Sequence, residues 1–391
     1  MKILQIHNEY KYFGGEDQIV EREKNLLLEN NHEVIQLIRK NNEEIKNLYD
    51  QIIVSKNLTF SKKSEKIVDE KIQFNKPDIV HIHNFFPLWS PSILNSCIKN
   101  KIPVVMSIHN YRLVCANGAL YKDGKICELC PENGLQNAIF HRCYQGSLIK
   151  TLPVANLISN FKKNKIWNKI NKLIVNTEFA KKKFVSFGIP QNKLTVKANF
   201  IEESYKTNDL NNNKGDFVIY IGRLSKEKGL ETLIKAWEKI DFKLKIFGDG
   251  PLKEKIKNLI INNKKIELND FIPNHEVSKQ MSKAKFLIFP SEWYEGFSIT
   301  LLEAFVNRLP VLSSNIGSMQ EIIENNVNGM LFKSGDVSDL IEKINKMIEN
   351  PDMLKTLKDK AYEKYQILYS KKKNYETLVS IYKEVRGDYS I

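Results

Sequence analysis

Nowhere in this sequence do twenty apolar residues follow one another, so no stretch reads as a membrane-spanning helix. The opening MKILQIHNEY lacks the apolar run of a secretory leader, and the expectation is a protein that stays in the cytoplasm. Five cysteines are too few to staple a secreted chain of this size. No GxxxxGK(S/T) run is present to cradle phosphates, and GDGPLK begins a dinucleotide fingerprint without completing it. No two aspartates stand one residue apart to share a divalent ion. What the chain has in excess is positive charge, 60 Lys and Arg against 46 Asp and Glu, a formal +14. Nucleic acid, anionic lipid or a phosphorylated substrate would each account for it, and so would a plain bias toward Lys and Asn.

With 391 residues the chain is long enough for two domains with full cores. Residues 2–6 read as a first strand ending near His7 and Asn8, and Gly14 and Gly15 precede a helix whose Ile19, Leu26 and Leu27 share a face. Strand, glycine turn and helix open a doubly wound α/β domain. Further strands are expected at 33–38, 79–82, 102–108 and 173–176, with a polar helical stretch over 41–75. Two histidines, His81 and His83, end the third strand and are too few by themselves to hold a metal. LTVKANF then leads into EESYKTNDLNNNKG, which breaks all periodicity and reads as a linker. A second array restarts at 217–221, and its helices close at 337–349 and about 371–385.

Chemistry concentrates in SEWYEGFSITLLEAFVNRLP, which follows the apolar run Phe286 to Phe289. Ser298 can cap the next helix, leaving Glu295 in the loop before it and Glu303 about five residues into it, roughly 7 Å further along the axis. The amides of Gly296, Phe297 and Ser298 and the positive end of the helix dipole suit a phosphate, and the flanking carboxylates suit hydroxyls. A nucleotide-sugar has that shape; an amphipathic helix with two solvated glutamates is the plain alternative. In GRLSKEKGLETLIKAW, Arg223 and Lys228 flank a glycine turn, where a fork and a point charge can neutralise a diphosphate without metal.

Glu295 and Glu303, with seven residues between them in EGFSITLLEAF, resemble the signature of the retaining glycosyltransferases of family four, and Arg223 with Lys228 resembles that family's diphosphate clamp. The resemblance implies the GT-B fold: two Rossmann-like domains facing a cleft. It places an acceptor-binding domain at 1–200 and a nucleotide-sugar domain at 201–370, with a last helix at 371–391 crossing back onto the first. It also implies that Glu303 holds the ribose, that Glu295 binds the donor sugar, and that Gly14 and Gly15 approach donor phosphates and acceptor. His109, which ends a buried strand in HN, would lie against the sugar near its reacting carbon. No metal cofactor is required for such transfer, and the absent aspartate pair is what the metal-dependent class of glycosyltransferases carries. Relatives of this look extend saccharides or lipid-linked saccharides for capsule, O-antigen or other surface polysaccharides.

Two segments stand apart from that pattern. Cys115, Cys127, Cys130 and Cys143 gather in an insertion at about 113–146, and the CELC spacing lets two thiolates face one ion, so a structural zinc is one reading and reduced thiols or labile bridges the other. His141 could replace one ligand. Over 147–187, apolar residues from Leu148 to Ile170 interleave with lysines, which suits an anionic membrane surface on the inner face of the cell membrane, or a helix docked on its own domain with a solvated lysine face. Other functions fit the same residues: a sugar-nucleotide epimerase or hydrolase on this fold, or a zinc-bearing nucleic-acid module. Against the last, basic and aromatic residues form no recognisable RNA or DNA module.

Overall fold

Short apolar runs separated by helical stretches must pair in parallel, because each crossover helix returns the chain to the same sheet edge and covers a face. The computed structural model describes residues 1–11, 14–203 and 215–387. It holds two compact units, one made of residues 1–120, 127–198 and 374–391, the other of 121–126 and 199–373. Most of the linker read at 202–215 lies outside the described residues.

The first unit is built on β1 (Lys2–Glu9), β2 (Glu33–Lys40), β3 (Ile79–Ile82), β4 (Val104–Ile108), β7 (Lys172–Val175) and β8 (Leu194–Val196), all parallel, in the order β2-β1-β3-β4-β7-β8. The central strands IVHI and VVMSI are buried at every position, as strands covered on both faces must be. Ile3, Ile79, Val105 and Ile174 form a core with Leu378, Ile381 and Tyr382 of the helix Lys371–Arg386, which fixes that terminal helix on this sheet. Burying each such side chain contributes about 1.5–3 kcal/mol. The polar stretch at 41–75 resolves into three helices, Asn41–Glu44, Leu48–Asn57 and Lys62–Asn75.

The second unit carries β9 (Phe217–Ile221), β10 (Lys243–Phe247), β11 (Ile266–Asn269), β12 (Leu287–Phe289), β13 (Val311–Ser314) and β14 (Met330–Phe332), also parallel, in the order β11-β10-β9-β12-β13-β14. A two-stranded antiparallel hairpin of β5 (Tyr121–Lys122) and β6 (Lys125–Ile126), from within the cysteine-bearing insertion, groups with this unit. In each sheet the winding reverses beside the first strand, between β1 and β3 and between β9 and β12, and such switch points open a crevice at the carboxyl ends. Gly229 is required at the second one: with φ +68°, a Cβ there would stand 1.9 Å from the Pro290 carbonyl oxygen. Its absence lets the helix Leu230–Trp237 start against the end of β12.

Candidate active site

Arg223 and Lys228 follow β9 in chain order and Glu295 follows β12, and the switch point brings together Lys228 and Glu295, 67 positions apart in the sequence. The Glu295 carboxylate accepts from the Lys228 ammonium at 2.5 Å and the Ser291 hydroxyl at 2.6 Å, and it is 6% exposed. Lys228 also stands over the rings of Phe289 and Trp293, 5.6 and 5.5 Å from their centroids. The lysine expected to meet phosphate is therefore held by the glutamate expected to meet sugar, which fixes both ends in place. Arg223 is exposed, and its guanidinium has no hydrogen-bond or ion-pair partner among the described residues.

The helix after this loop is Ile299–Val306 with Ser298 in the capping position, but the serine side chain makes no capping hydrogen bond. Its φ of −94° and ψ of 114° set the backbone as a cap without bringing the hydroxyl to an amide, which corrects the sequence expectation. The Gly296, Phe297 and Ser298 amides donate to no acceptor among the described residues, and they precede a helix start, where an anion is favoured. Glu303 lies inside the helix at 6% exposure.

In the first unit, Gly14 has φ −140° and its amide donates to Asp17 at 2.7 Å, while a Cβ on Gly15 would meet nothing within 4 Å. Neither glycine is forced by a left-handed turn. Space beside the helix start remains open for a ligand. His109 follows the last residue of β4, and its Nε2 is buried with no hydrogen-bond partner among the described residues. Burial pushes its pKa down to about 4 from the usual 6.5, against the opposing pull of Glu23. Its ring stacks on His83 with centroids 5.8 Å apart, and His83 lies tilted by 33° against His81 at 4.0 Å. His81 is pinned by the Tyr382 hydroxyl at 2.7 Å and Ser107 at 2.9 Å.

Beside this column lies a buried ion pair that the sequence reading missed, Glu23 with Lys197, at 1% and 3% exposure. Burial alone would raise the Glu23 carboxyl; the ammonium overrides it and holds it below the usual range. Glu23, His81 and His83 are the one group of three metal-capable side chains whose ligand atoms lie within 4.8 Å among the described residues. Lys197 already fills the role of a cation there, and both His81 nitrogens are engaged. A usable signal existed, since Glu23 falls on the apolar stripe of Ile19, Leu26 and Leu27, where a solvated glutamate would not. Glu16 was missed as well: burial and Asp17 push its carboxyl up to about 8, while Arg112 and the side chains of Asn84 and Asn110 oppose the rise.

All five cysteines are free thiols. Burial, with the nearby Cys115, Cys143 and Cys127, pushes the Cys130 thiol up to about 12. No three of the four sulfurs lie within 4.8 Å of one another, whereas Zn–S bonds of about 2.3 Å in a tetrahedron require sulfurs roughly 3.8 Å apart. As placed, the thiols do not fit a zinc ion.

The family model described as Glycosyltransferase Family 4 matches residues 27–205, and that for Glycosyl transferases group 1 matches 202–364. The chain belongs to the group 1, family 4 glycosyltransferases. The chain is 36% identical over 171 residues to an uncharacterized glycosyltransferase of Methanocaldococcus jannaschii, covering 43% of this chain and 47% of the relative. It is 28% identical over 210 residues to the poly(ribitol-phosphate) alpha-N-acetylglucosaminyltransferase of Staphylococcus aureus, covering 52% and 42%. The chain thus spans less than half the length of both curated relatives. Its fold is that of HepE from Anabaena, solved in complex with UDP, at TM-score 0.69 and 16% identity over 98% of this chain and all of that one.

Proposed function

We propose that this glycosyltransferase moves a sugar from a nucleoside diphosphate donor to a saccharide or lipid-linked saccharide acceptor in cell-surface polysaccharide synthesis, retaining the anomeric configuration and needing no metal. The observation that carries this is the end of β9 and β12, where Arg223 and three amides, without partners among the described residues, accompany a fixed Lys228–Glu295 pair. As the sugar–phosphate bond breaks, negative charge grows on the departing diphosphate. Arg223, Lys228 and the amides of Gly296, Phe297 and Ser298 stabilise that charge, the kind of pre-aimed electrostatics that dominates many enzymes. Glu303 is assigned the ribose and Glu295 the donor sugar. His109, kept neutral, offers a lone pair rather than a charge to the positive character developing at the sugar carbon. The acceptor attacks the face the diphosphate leaves, and a phosphate oxygen takes its proton. We place the protein in the cytoplasm, working on the inner face of the membrane.

The test is calorimetric titration with uridine, guanosine and adenosine diphosphate sugars in the presence of a chelator. The UDP complex of HepE makes uridine the first donor to try. One donor should bind wild type and bind Arg223→Ala at least about a hundredfold more weakly. Equal binding by the variant would remove Arg223 from the site, and a chelator-sensitive affinity would overturn the metal-free step.

A further inference from the structure

Arg223, Lys228 and Glu295 follow the carboxyl ends of β9 and β12, and because the strands of this sheet are parallel, their amino ends lie on the opposite side. A cavity of about 320 Å³ opens there among residues that lead into β9, β12 and β13, with Gly215, Lys285 and Pro310 in its wall. Its floor is apolar and buried: Met281, Leu309 and Leu354 are 0%, 3% and 8% exposed. Its charge is of one sign. Lys285, Arg308, Lys355 and Lys358 line it, and no acidic side chain among the described residues does.

Arg308 is held in place, bonded to Asp359 at 2.6 Å and stacked over the Tyr362 ring, 4.2 Å from its centroid. Lys285 stands over Phe242, 5.5 Å from the centroid, and like Lys355 and Lys358 it has no ion-pair partner among the described residues. A general excess of lysine does not account for this. At the amino ends of the neighbouring strands the lysines are paired, Lys243 with Glu267 and Lys265 with Asp241. Lys355 and Lys358 stand three apart on the helix Pro351–Lys364 and so share a face, and that helix begins at the cavity with the positive end of its dipole. Cations gathered on one hollow repel each other unless an anion sits among them. Ammonium groups suit phosphate oxygens, and an apolar floor beneath them suits a ring. The volume is that of a small-ligand site.

We propose that this cavity binds a phosphorylated small molecule of nucleotide size, its phosphate toward Lys285, Lys355 and Lys358 and its ring on the floor, at a second site separate from the catalytic end. The proposal does not rest on the glycosyl-transfer reading, since Arg223, Lys228 and Glu295 lie outside the cavity. Arg223→Ala weakens the phosphate site at the catalytic end, and this variant of the full chain is to be titrated calorimetrically with adenosine monophosphate and with inorganic pyrophosphate. It should still bind one adenosine monophosphate per chain, and more tightly than pyrophosphate, which has no ring for the floor. Adding Lys355→Glu with Lys358→Glu should weaken that binding at least about tenfold, and adding Lys285→Gln instead should weaken it too. Lys235→Glu with Lys264→Glu makes the same change of charge on exposed residues of this unit outside the cavity, and should leave binding intact. Melting curves should match across the set. Failure of Arg223→Ala to bind, equal loss in the Lys235 and Lys264 control, or unchanged binding when the cavity lysines are altered would overturn the proposal. Pyrophosphate bound as tightly as the nucleotide would overturn the role of the floor. Complete displacement by an equal concentration of sulfate would reduce the site to an adventitious ion only.

Discussion

At the first switch point buried polar groups are partnered in place, Glu23 by Lys197 and Asp17 by a 2.8 Å hydrogen bond with His7. At the ends of β9 and β12, Arg223 and the three amides before Ile299 have no partner among the described residues. The same sheet topology thus supports two different electrostatic designs. A switch point that neutralises itself keeps imidazoles uncharged, and one that leaves cations and amides unspent invites an anion. The contrast separates groups whose loss should cost stability from groups whose loss should cost only catalysis.

The largest effect is expected on the matched side. Lys197→Met leaves Glu23 buried without its counter-charge, and breaking such a pair from one side costs about 3–5 kcal/mol. Glu23→Leu added to it should recover most of the loss, because the residual charge goes with it. A thermal melt of the single and double variants decides it, and a single variant as stable as wild type would mean that water reaches the pair. On the unmatched side, Arg223→Ala should lower kcat/KM by about 10²–10³ while shifting stability by under about 0.5 kcal/mol. If Arg223→Ala melts early, the guanidinium supports the fold and the contrast fails.

Acidity should discriminate the two switch points next. His81, His83 and His109 have pKa values below their unfolded value of 6.5, His109 near 4, so over that window the unfolded chain binds protons that the folded one refuses. These three make stability rise with pH between about 4 and 6.5 and be lost as pH falls, while Glu16, raised from 4.5 to about 8, opposes them above pH 4.5. The lowered Glu23 acts in the same direction as the histidines, since its contribution disappears as pH drops through its folded value. The first unit should lose several degrees of melting temperature on acidification before the second does, and simultaneous loss in both would show that the histidine column is not what titrates.

Much of the fold was legible because parallel strands buried on both faces leave continuous apolar runs. Phe217–Ile221 and Val337–Glu349 stand where their periodicity puts them, as does the first strand apart from its last three residues. The second switch point was legible for a similar reason, since Arg223 and Glu295 each sit just past such a run. The first showed only in the place of Glu23 on an apolar stripe, because its partners are remote: Lys197 lies 174 positions from Glu23, and Tyr382 lies 301 from His81. The exposed apolar side chains of the helix Leu48–Asn57 were hidden by averaging: lysines, asparagines and acids around them make 41–75 read as polar. The four cysteines are a different case, since CELC spacing permits convergence without enforcing it. If they do hold zinc by closing in on it, metal analysis should find one ion per chain and chelation should release all four thiols to a thiol reagent; zinc-free protein with the same melt would leave them as plain thiols.

The smallest effect tests how an unmatched switch point does its work. If anion binding there belongs to backbone amides, removing the Ser298 hydroxyl should change neither stability nor donor affinity, because the amide stays and the side chain caps nothing. Thr177 supplies the contrast: its hydroxyl accepts from the Ala180 amide at 3.1 Å at the start of Glu178–Ser186, and it is 1% exposed. Thr177→Ala should therefore cost about 1 kcal/mol, and Ser298→Ala less than about 0.5 kcal/mol. Denaturant melts of the two variants, with donor titration of the second, give the comparison directly. A tenfold weaker donor in Ser298→Ala would assign the phosphate contact to the hydroxyl, and the second switch point would then read its ligand with a side chain as well as with its main chain.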